Sequence, residues 1–418
     1  MKILYFDQYY PPEKASGLNL VQDLLEGFAN AGWEVSMYVP TPTRGVTKDV
    51  RKYYKKRKIE RLHNGNVVVH RISLFRESKN VLARAVRYFI FSIKCFFKTL
   101  SENADIVFTG SGPPTQGWII GNACRLTGKK LVFNLQDIFP DSLVTSGICS
   151  ENSVLMKVGR RIENKTYNNA THIITITDDM RRNVLNKGVP EQKVSVVQNW
   201  IDTEKVRPVK RKDNKLFDDL KLPKDKFYVT YAGNIGKVQG IDTLIESAEL
   251  LKEENVHFVI FGNGSEEESI KKAVKGKNLH NVSLFPLQPI ERVSEVYSLG
   301  DVNFISCKPG TGSSGMPSKT WTIMACGSPI IASFDLGGEM ENTLKNAQCG
   351  VCVQAGQPDK VAEAIRNLKN NEPHRMSMGL NARICAEEHA SKPKCVGKYV
   401  KIISDVDAYD KCGTRKTC

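Results

Sequence analysis

The sequence has no apolar run long enough to cross a membrane. Polar residues interrupt every hydrophobic stretch before it reaches the roughly 20 residues that a spanning helix needs. The opening residues MKILYFDQYY also lack the apolar core of a signal peptide behind their lysine. Hydrophobic residues make up 41% and charged residues 25% of the chain, as in ordinary globular proteins, which argues against wholesale disorder. We therefore expect a folded cytoplasmic protein rather than a secreted or multispanning one.

The cysteines lack the spacing of a zinc site. There are 11 of them, and only Cys349 and Cys352 are separated by two residues, with no second such pair nearby. Because no secretion signal is recognisable, we expect free thiols in a reducing compartment and no metal.

Acidic residues are in deficit, since 60 Lys and Arg stand against 45 Asp and Glu and leave a net charge of +15. Such an excess favours contact with phosphate-bearing partners, which could be nucleic acid, anionic lipid or a nucleotide diphosphate. A basic surface that serves only solubility is the alternative.

At 418 residues the chain is too long for one compact core and predicts two domains. Short β-branched or apolar runs alternate with helical patterns in both halves, which is typical of α/β domains with doubly wound parallel sheets. A charged, proline-containing stretch with little apolar periodicity between the halves predicts a linker. The expected organisation is a first domain at 1–203, a linker at 204–225, a second domain at 226–391, and a helix with a mobile tail at 392–418.

Residues 81–100 form a predicted amphipathic helix without any acidic side chain. Apolar side chains occupy one face of the helical wheel and cations the opposite face. This composition favours a helix that lies in a membrane interface, although a core-packing helix with a solvated basic face is the alternative. The predicted membrane contacts are Arg84, Arg87, Phe89, Lys94, Phe96, Phe97 and Lys98.

Two positions in the first half are candidates for the site. Gly17 stands between a predicted strand and a predicted helix, where backbone amides can approach a diphosphate, although a plain turn explains it equally well. Asp137 follows the predicted strand at 130–135 and should lie at the carboxyl end of that strand, facing the ligand crevice of an open α/β sheet. A carboxylate there could orient a sugar hydroxyl or stabilise positive charge on an oxocarbenium-like centre, whereas a helix N-cap is the structural alternative.

Two glycine-rich loops in the second half follow predicted strands. The first carries Gly233, Asn234, Lys237 and Gln239, and the second carries Gly262 and Gly264. Backbone amides and a nearby cation in such loops can hold a diphosphate, while ordinary strand-to-helix turns are the alternative.

The segment KPGTGSSGMPSKTWTIMACG is the richest stretch of the chain. A loop of small residues leads through Pro317, suited to a first helical position, into a predicted helix that ends at Gly327. Amides at Ser313–Gly315, hydroxyls of Ser314 and Ser318, and the Lys319 ammonium suit a sugar diphosphate better than apolar packing. A flexible loop before a capped helix is the alternative.

Several motifs together resemble the retaining family 4 glycosyltransferases over nearly the whole chain. They are YYPPE with Gly17, DIFPDSL, VVQNWID, YAGNIGKVQGIDTLI, FGNGSE and MPSKTWTIMACGSPIIASFD, in this order. The L-fucosamine transferase-like enzymes of O-antigen and capsule synthesis are the most similar subgroup. The resemblance implies a GT-B fold, in which two Rossmann-like domains with parallel sheets face a central cleft. It also implies an acceptor site on the N-terminal domain and a nucleotide-sugar site on the C-terminal domain.

The same resemblance implies that Lys319 neutralises the donor phosphate. The sequence departs from the family at several positions. Asn234 and Gln239 stand where many members carry an Arg and a Lys, and Ser314 and Thr322 stand where many carry two glutamates. Gln136 and Asp137 stand where many relatives have a His, which leaves Asp137 as the candidate for catalysis.

The expected function is transfer of an acetamido sugar from a UDP-sugar to an undecaprenyl-diphosphate-linked glycan, with retained anomeric configuration. The protein would act at the inner face of the cytoplasmic membrane, without metal or cofactor and without nucleic acid. A non-hydrolysing UDP-sugar epimerase shares the fold but needs no membrane helix. A catalytically silent scaffold that binds nucleotide sugar is a further alternative, suggested by the missing glutamates.

Overall fold

The computed structural model describes residues 1–15, 17–78, 80–145, 149–312 and 316–408. The chain divides into two compact units. The first unit comprises Met1–Gln198 together with the C-terminal segment from Cys395, and the second comprises Asn199–Lys394. The division therefore comes five residues before the position expected from the sequence.

A parallel sheet forms the centre of the first unit. Its strands are β1 (Lys2–Phe6), β2 (Glu34–Pro40), β3 (Ile59–Leu62), β4 (Val67–Ile72), β5 (Ile106–Gly110), β6 (Lys130–Leu135), β7 (His172–Thr175) and β8 (Val194–Val196). The eight described strands lie in the order β3-β4-β2-β1-β5-β6-β7-β8, and all neighbours pair in parallel except β3 with β4. The chain moves outward from β1 to one edge and then returns to β5 on the other side of β1. This reversal is the point where open α/β sheets bind ligands, beyond the carboxyl ends of the strands.

Helices connect these strands. They are α1 (Leu18–Asn30), α2 (Lys48–Lys56), α3 (Val81–Ser101), α4 (Gln116–Thr127), α5 (Asp141–Thr145), α6 (Val154–Asn169) and α7 (Asp178–Asn186). Buried side chains from the strands and from α3, α4, α6 and α7, among them Leu4, Phe91, Ile120 and Ile173, form one hydrophobic core.

The second unit repeats this design with α8 (Leu216–Asp219), β9 (Phe227–Asn234), α9 (Ile241–Leu250), β10 (Val256–Asn263), α10 (Glu267–Gly276), β11 (Val282–Phe285), α11 (Val293–Tyr297), β12 (Val302–Ser306), α12 (Lys319–Ala325), β13 (Ile330–Phe334), α13 (Glu339–Asn346), β14 (Gly350–Gln354), α14 (Pro358–Lys369) and α15 (Glu372–His389). The last helix, α16 (Lys392–Ala408), begins at the end of this unit and belongs to the first unit from Cys395 onward. Its six described strands pair in parallel in the order β11-β10-β9-β12-β13-β14. The chain reverses between β9 and β12, so the predicted ligand position of this sheet lies at their carboxyl ends.

The stretch expected to be a linker packs into the second unit instead. Leu216 and Phe217 on α8 are fully buried, and Leu222 joins the same hydrophobic core. Asn214 also donates a hydrogen bond to the backbone carbonyl of Glu295 at 2.7 Å. The sequence predicted a linker because the segment is mostly charged. These few buried apolar residues are nevertheless enough to hold the segment against the core of the second unit.

The C-terminal helix is an integral part of the first unit rather than a separate appendage. Tyr399 on α16 is fully buried, and its hydroxyl donates to the side-chain oxygen of Asn134 at 2.9 Å. The tail from residue 409, expected from the sequence to be mobile, lies outside the described residues.

In the second unit, the backbone around Gly264 leaves no room for a larger residue at this position. Its φ is +156°, and a Cβ there would lie 2.2 Å from the carbonyl oxygen of Ile235. We expect Gly264→Ala to reduce the free energy of unfolding by about 2 kcal/mol or more, since backbone must shift to relieve the clash. Urea denaturation of the purified chain measures this change.

Gly276 is the matched control, because it ends α10 in the same unit and a Cβ there meets nothing within 4 Å. Gly276→Ala should leave stability unchanged or raise it by up to about 1 kcal/mol. Equal effects of the two substitutions would contradict the steric argument.

Candidate nucleotide-sugar site

Lys319 lies at the carboxyl end of β9, where the second sheet reverses. Its ammonium nitrogen is 3.4 Å from the carbonyl oxygen of Ala232, to which it donates, and 3.8 Å from the ring centroid of Tyr231. Among the described residues no carboxylate lies within ion-pair distance of it. Burial lowers the pKa of this ammonium to about 7. A cation that is desolvated and not neutralised by a carboxylate is suited to receive an anion.

The predicted glycine loops converge beside this lysine. A Cβ on Gly233 would lie 3.3 Å from the Lys319 ammonium, and β10 places Gly262 opposite Gly233 in the parallel register. A Cβ on Gly262 would lie 2.5 Å from the Gly233 carbonyl oxygen. Glycine is therefore required where the two strand ends approach each other, and it leaves the backbone at the strand ends uncovered.

The loop after β9 is held by its own side chains. The Asn234 amide donates to the Gln239 side-chain oxygen at 3.4 Å, and the Ser306 hydroxyl at the end of β12 donates to the Gln239 carbonyl at 2.5 Å. Asn234 and Gln239 thus shape this loop and connect it to the neighbouring strand. Lys237, also predicted to bind donor, is exposed at the loop surface.

The segment before α12 differs in part from its prediction. The helix begins at Lys319 with Ser318 as its N-cap residue, so Pro317 precedes the helix instead of occupying its first position. The Ser318 side chain is exposed and makes no capping hydrogen bond, and Thr322 follows Lys319 on the same helix, partly buried. Gly327 follows the helix end with a φ of +63°, as expected for a helix terminator. Ser313, Ser314 and Gly315 lie outside the described residues.

Asp335 is a residue of this region that the sequence did not single out. It directly follows β13, and its two carboxylate oxygens accept hydrogen bonds from the backbone of Gly310 at 3.0 Å and Gly312 at 2.8 Å. The carboxylate thereby fixes the loop that leads toward the segment 313–315. An acidic residue directly after a buried strand was the only available signal.

In the first unit, Asp137 occupies the predicted position just past the carboxyl end of β6. Its side chain is exposed, and the backbone amides of Gln136 and Asp137 both donate to the Ser111 hydroxyl, at 3.1 and 3.2 Å. The turn is therefore anchored to the strand end of β5, while the carboxylate stays accessible. Gly17 is the N-cap of α1 with a φ of +76°, a left-handed conformation that glycine adopts without strain.

A second acid at this edge, Asp7, was missed by the sequence analysis. It follows β1 directly, and one carboxylate oxygen accepts from the backbone amides of Gln8 at 2.7 Å and Tyr9 at 3.3 Å. Burial raises the pKa of this carboxyl to about 6 even though these amides favour the ionised form. Its position at the end of the first strand, beside the reversal of the sheet, could have drawn attention to it.

Helix α3 is amphipathic as predicted, and its apolar side faces outward, which the interface interpretation requires and the core-packing alternative does not. Leu82 is 77% exposed, Phe89 50% and Phe97 61%, whereas the buried face carries Phe91 and Cys95. Phe96 is partly buried. None of the described helices is both long enough and apolar enough to pass through a bilayer.

The cations of α3 differ in their burial and in the groups that they contact within the protein. Arg87 is fully buried and donates to the carbonyl of Phe75 at 3.1 Å, so its predicted contact with a membrane is wrong. Lys94 donates to the Ser73 carbonyl at 3.0 Å, and Lys98 donates to Glu102 at 3.2 Å, while Arg84 is partly exposed. The helical wheel gave the two faces correctly, but it placed all four cations at lipid headgroups, whereas Arg87 is buried in the protein.

Comparison with known proteins agrees with this geometry. The model of the glycosyltransferase family 4 domain matches residues 19–205, and the model of glycosyl transferases group 1 matches residues 212–384. The WcaI protein of Escherichia coli K12, assigned to colanic acid biosynthesis as a glycosyl transferase, is 24% identical over 88% of this chain and 91% of its own. The WbjE glycosyltransferase of Pseudomonas aeruginosa is 26% identical over 69% of this chain and 71% of its own.

A solved structure shares the fold. The HepE protein of Anabaena, crystallised with UDP, superposes with a TM-score of 0.72 at 14% identity and covers 97% of this chain and 100% of its own. A similarity at this level of identity establishes the fold, which is GT-B, as the sequence motifs had implied. The two models match consecutive parts of the chain, and together with these relatives they support a family 4 glycosyltransferase.

Proposed function

We propose that the protein transfers a sugar from a UDP-sugar to an undecaprenyl-diphosphate-linked glycan during bacterial O-antigen, capsule or exopolysaccharide synthesis. The second unit holds the donor and the first holds the acceptor. An acetamido sugar and retained anomeric configuration follow from the resemblance to L-fucosamine transferase-like enzymes. The reaction needs neither metal nor cofactor, and it takes place at the inner face of the cytoplasmic membrane.

The observation that carries this proposal is the environment of Lys319. The ammonium lies among glycine turns at a strand edge, with a carbonyl and an aromatic face as its neighbours. A nucleotide diphosphate would supply the missing counter-charge. Breaking the bond between sugar and diphosphate leaves negative charge on the departing phosphate, and a fixed cation at that place stabilises the transition state more than the ground state.

The solved structures of HepE, which shares the fold, support a uridine nucleotide as the donor. HepE has been solved with UDP and also with UDP-glucose, the latter at a TM-score of 0.69. Gly233, Gly262 and Gly264 keep the strand edge bare in this chain, so that backbone amides can face the phosphates. Asn234, Gln239 and Lys237 complete the rim of this donor region, and Ser313, Ser314, Gly315, Ser318 and Thr322 are also proposed to contact the donor.

Asp137 is the proposed catalytic residue of the first unit. Its carboxylate is exposed at the carboxyl end of β6, where an acceptor hydroxyl or a sugar ring could approach it. A carboxylate stabilises the positive charge that builds up on the anomeric carbon as the diphosphate leaves.

The exposed apolar face of α3 supports a lipid-linked acceptor. Leu82, Val86, Phe89, Phe97 and Leu100 are between 38% and 77% exposed on one side of the helix. A contiguous apolar face of this kind on a soluble domain marks an interaction surface, and aromatic side chains are suited to the boundary of a bilayer. An epimerase acting on free nucleotide sugar would have no use for such a face.

Loss of the Lys319 charge tests the donor site. We expect Lys319→Met to weaken UDP binding about 10- to 100-fold, the range for one charge-assisted hydrogen bond. Isothermal titration calorimetry measures the dissociation constant, and Lys345→Met, an exposed lysine on α13, is the control. Equal UDP affinity in the two variants would refute the diphosphate assignment. Detecting no sugar transfer from any UDP-sugar to a lipid-linked acceptor would refute the proposed reaction.

The lowered pKa of Lys319 predicts a pH dependence. Below pH 7 the ammonium is protonated and binds diphosphate, and above pH 7 the free protein must take up a proton in order to bind. UDP affinity should therefore fall as pH rises, by at most about tenfold per pH unit. Calorimetry between about pH 7.5 and 8.5, where the terminal phosphate of UDP is almost fully ionised and its uracil ring is still neutral, measures the slope. An affinity that is flat or rises over this range would contradict a titrating Lys319.

The α3 face predicts binding to bilayers. Phe89→Ser combined with Phe97→Ser should reduce co-flotation with phosphatidylglycerol-containing vesicles severalfold, because each change removes an aromatic side chain from the acyl boundary. Met376→Ser with Leu380→Ser is the matched control, since both residues are more than 60% exposed on α15 of the second unit. A similar loss in the two double variants would show that α3 has no particular role.

A further inference from the structure

A cavity of about 180 Å³ in the first unit lies apart from every residue assigned above. Five cations line it, namely Lys48, Arg51, Lys52, Lys55 and Arg76, together with two threonines and Val46. None of these lining residues is acidic. At about 30 Å³ for each water, the volume has room for roughly six waters, which is comparable to one diphosphate group.

The position of the cavity in the fold is that of a ligand site. Its walls come from the loop after β2, from α2 and from the segment after β4. Strands β2 and β4 are parallel neighbours, so their carboxyl ends form part of the same edge that carries Asp7 and Asp137. Open α/β sheets bind their ligands beyond this edge.

The charges around the cavity are poorly compensated within the protein. Arg51 is tied to the backbone by hydrogen bonds to the carbonyls of Pro42 at 2.8 Å and Leu74 at 2.9 Å, which do not neutralise it. Burial and the like charges of Arg87 and Arg76 lower the pKa of Arg51. An anion in the cavity would relieve this repulsion.

Behind this group lies the fully buried Arg87 on α3. Its Nε donates to the Phe75 carbonyl, but neither terminal nitrogen has a hydrogen-bond partner among the described residues. Glu13 is the acid whose charge acts on both Arg87 and Arg51, and one of its oxygens is occupied by the backbone amides of Thr43 and Arg44. Glu13 therefore acts on two of the arginines, while the eight residues that line the cavity include five cations and no acid.

We propose that this cavity binds the diphosphate group of the lipid-linked acceptor. The assignment to the acceptor rests on the proposed function, whereas the preference for a phosphate-bearing anion rests on the cavity itself. Phe75, 45% exposed, directly precedes Arg76, and its carbonyl is the acceptor for Arg87 of α3. The segment that contributes to the cavity wall is thus bonded to the helix that carries the apolar face, so a polyprenyl chain at that face and its diphosphate in the cavity would occupy neighbouring parts of the first unit.

Pyrophosphate titration in the Lys319→Met background tests the site without a contribution from the donor region. Lys48→Gln, Lys52→Gln and Lys55→Gln are combined, because all three side chains are exposed and their loss should not disturb folding. We expect pyrophosphate to bind the parent and its dissociation constant to rise at least tenfold in the triple variant. The control combines Lys56→Gln, Lys58→Gln and Arg61→Gln, which remove the same charge from exposed positions that do not line the cavity.

The control triple variant should bind pyrophosphate like the parent. Equal losses in both triple variants would reduce the effect to net charge and overturn the inference, as would an unchanged dissociation constant in the cavity variant.

Vesicles distinguish the acceptor from ordinary anionic lipid. Phosphatidylcholine vesicles doped with undecaprenyl diphosphate are compared, at equal negative charge, with vesicles doped with phosphatidylglycerol. The cavity variant should lose co-flotation preferentially with the undecaprenyl diphosphate vesicles. An equal loss with both lipids would assign the cavity to lipid headgroups and overturn the acceptor assignment.

The inference and the proposed function fail separately. Pyrophosphate binding in the cavity by a protein that does not bind UDP through Lys319 would keep the cavity site and refute the proposed donor site. Normal UDP binding by a protein whose cavity does not bind pyrophosphate would keep the proposed donor site and refute the cavity site.

Discussion

Parallel pairing of the strands is the constraint on which the functional geometry of both units depends. Strands that run in one direction all end at one edge, and the chain must leave that edge through loops and helix starts. In the second unit this brings Gly233, Gly262 and Lys319 together although they are far apart in sequence. In the first unit it aligns the residues that follow β1, β2, β4 and β6. The sites are thus a product of sheet topology, while the individual side chains determine which ligand is held.

Much of this could be read from residue patterns alone. Alternating apolar runs and helical periodicity predicted the α/β units. Gly233 and Gly262, at the ends of β9 and β10, lie side by side where only glycine fits, while their role in donor binding stays a prediction. What escaped were features set by tertiary packing. A charged segment is held in the core by three apolar residues, Leu216, Phe217 and Leu222. Because their spacing follows neither a helical nor a strand period, the sequence pattern did not indicate that they are buried. The depressed pKa of Lys319 and the raised pKa of Asp7 arise from desolvation, which depends on neighbours distant in sequence.

Lys319, the proposed donor-binding group, has an aromatic ring beside its ammonium where a carboxylate could have stood. The face of the Tyr231 ring offers a favourable electrostatic surface to the ammonium, and the Tyr231 hydroxyl is itself fixed by donating to the Asn234 carbonyl at 2.7 Å. A carboxylate in place of this ring would form an ion pair and compete with the ligand. The aromatic support leaves the positive charge available and connects the lysine to the loop that follows β9.

In the proposed function, the outward apolar face of α3 and the cationic cavity would contribute to membrane binding in different ways. On α3, Arg87 is buried and Lys98 is paired with Glu102, so the proposed affinity of the helix for a bilayer would depend mainly on how readily acyl chains admit its apolar side chains. Loosely packed or curved bilayers admit such side chains more easily. Residence on a membrane would then follow the packing defects of the bilayer, whereas recognition of a particular phosphate-bearing lipid would fall to the cavity. Substitutions on α3 and in the cavity could then alter membrane residence and lipid recognition independently.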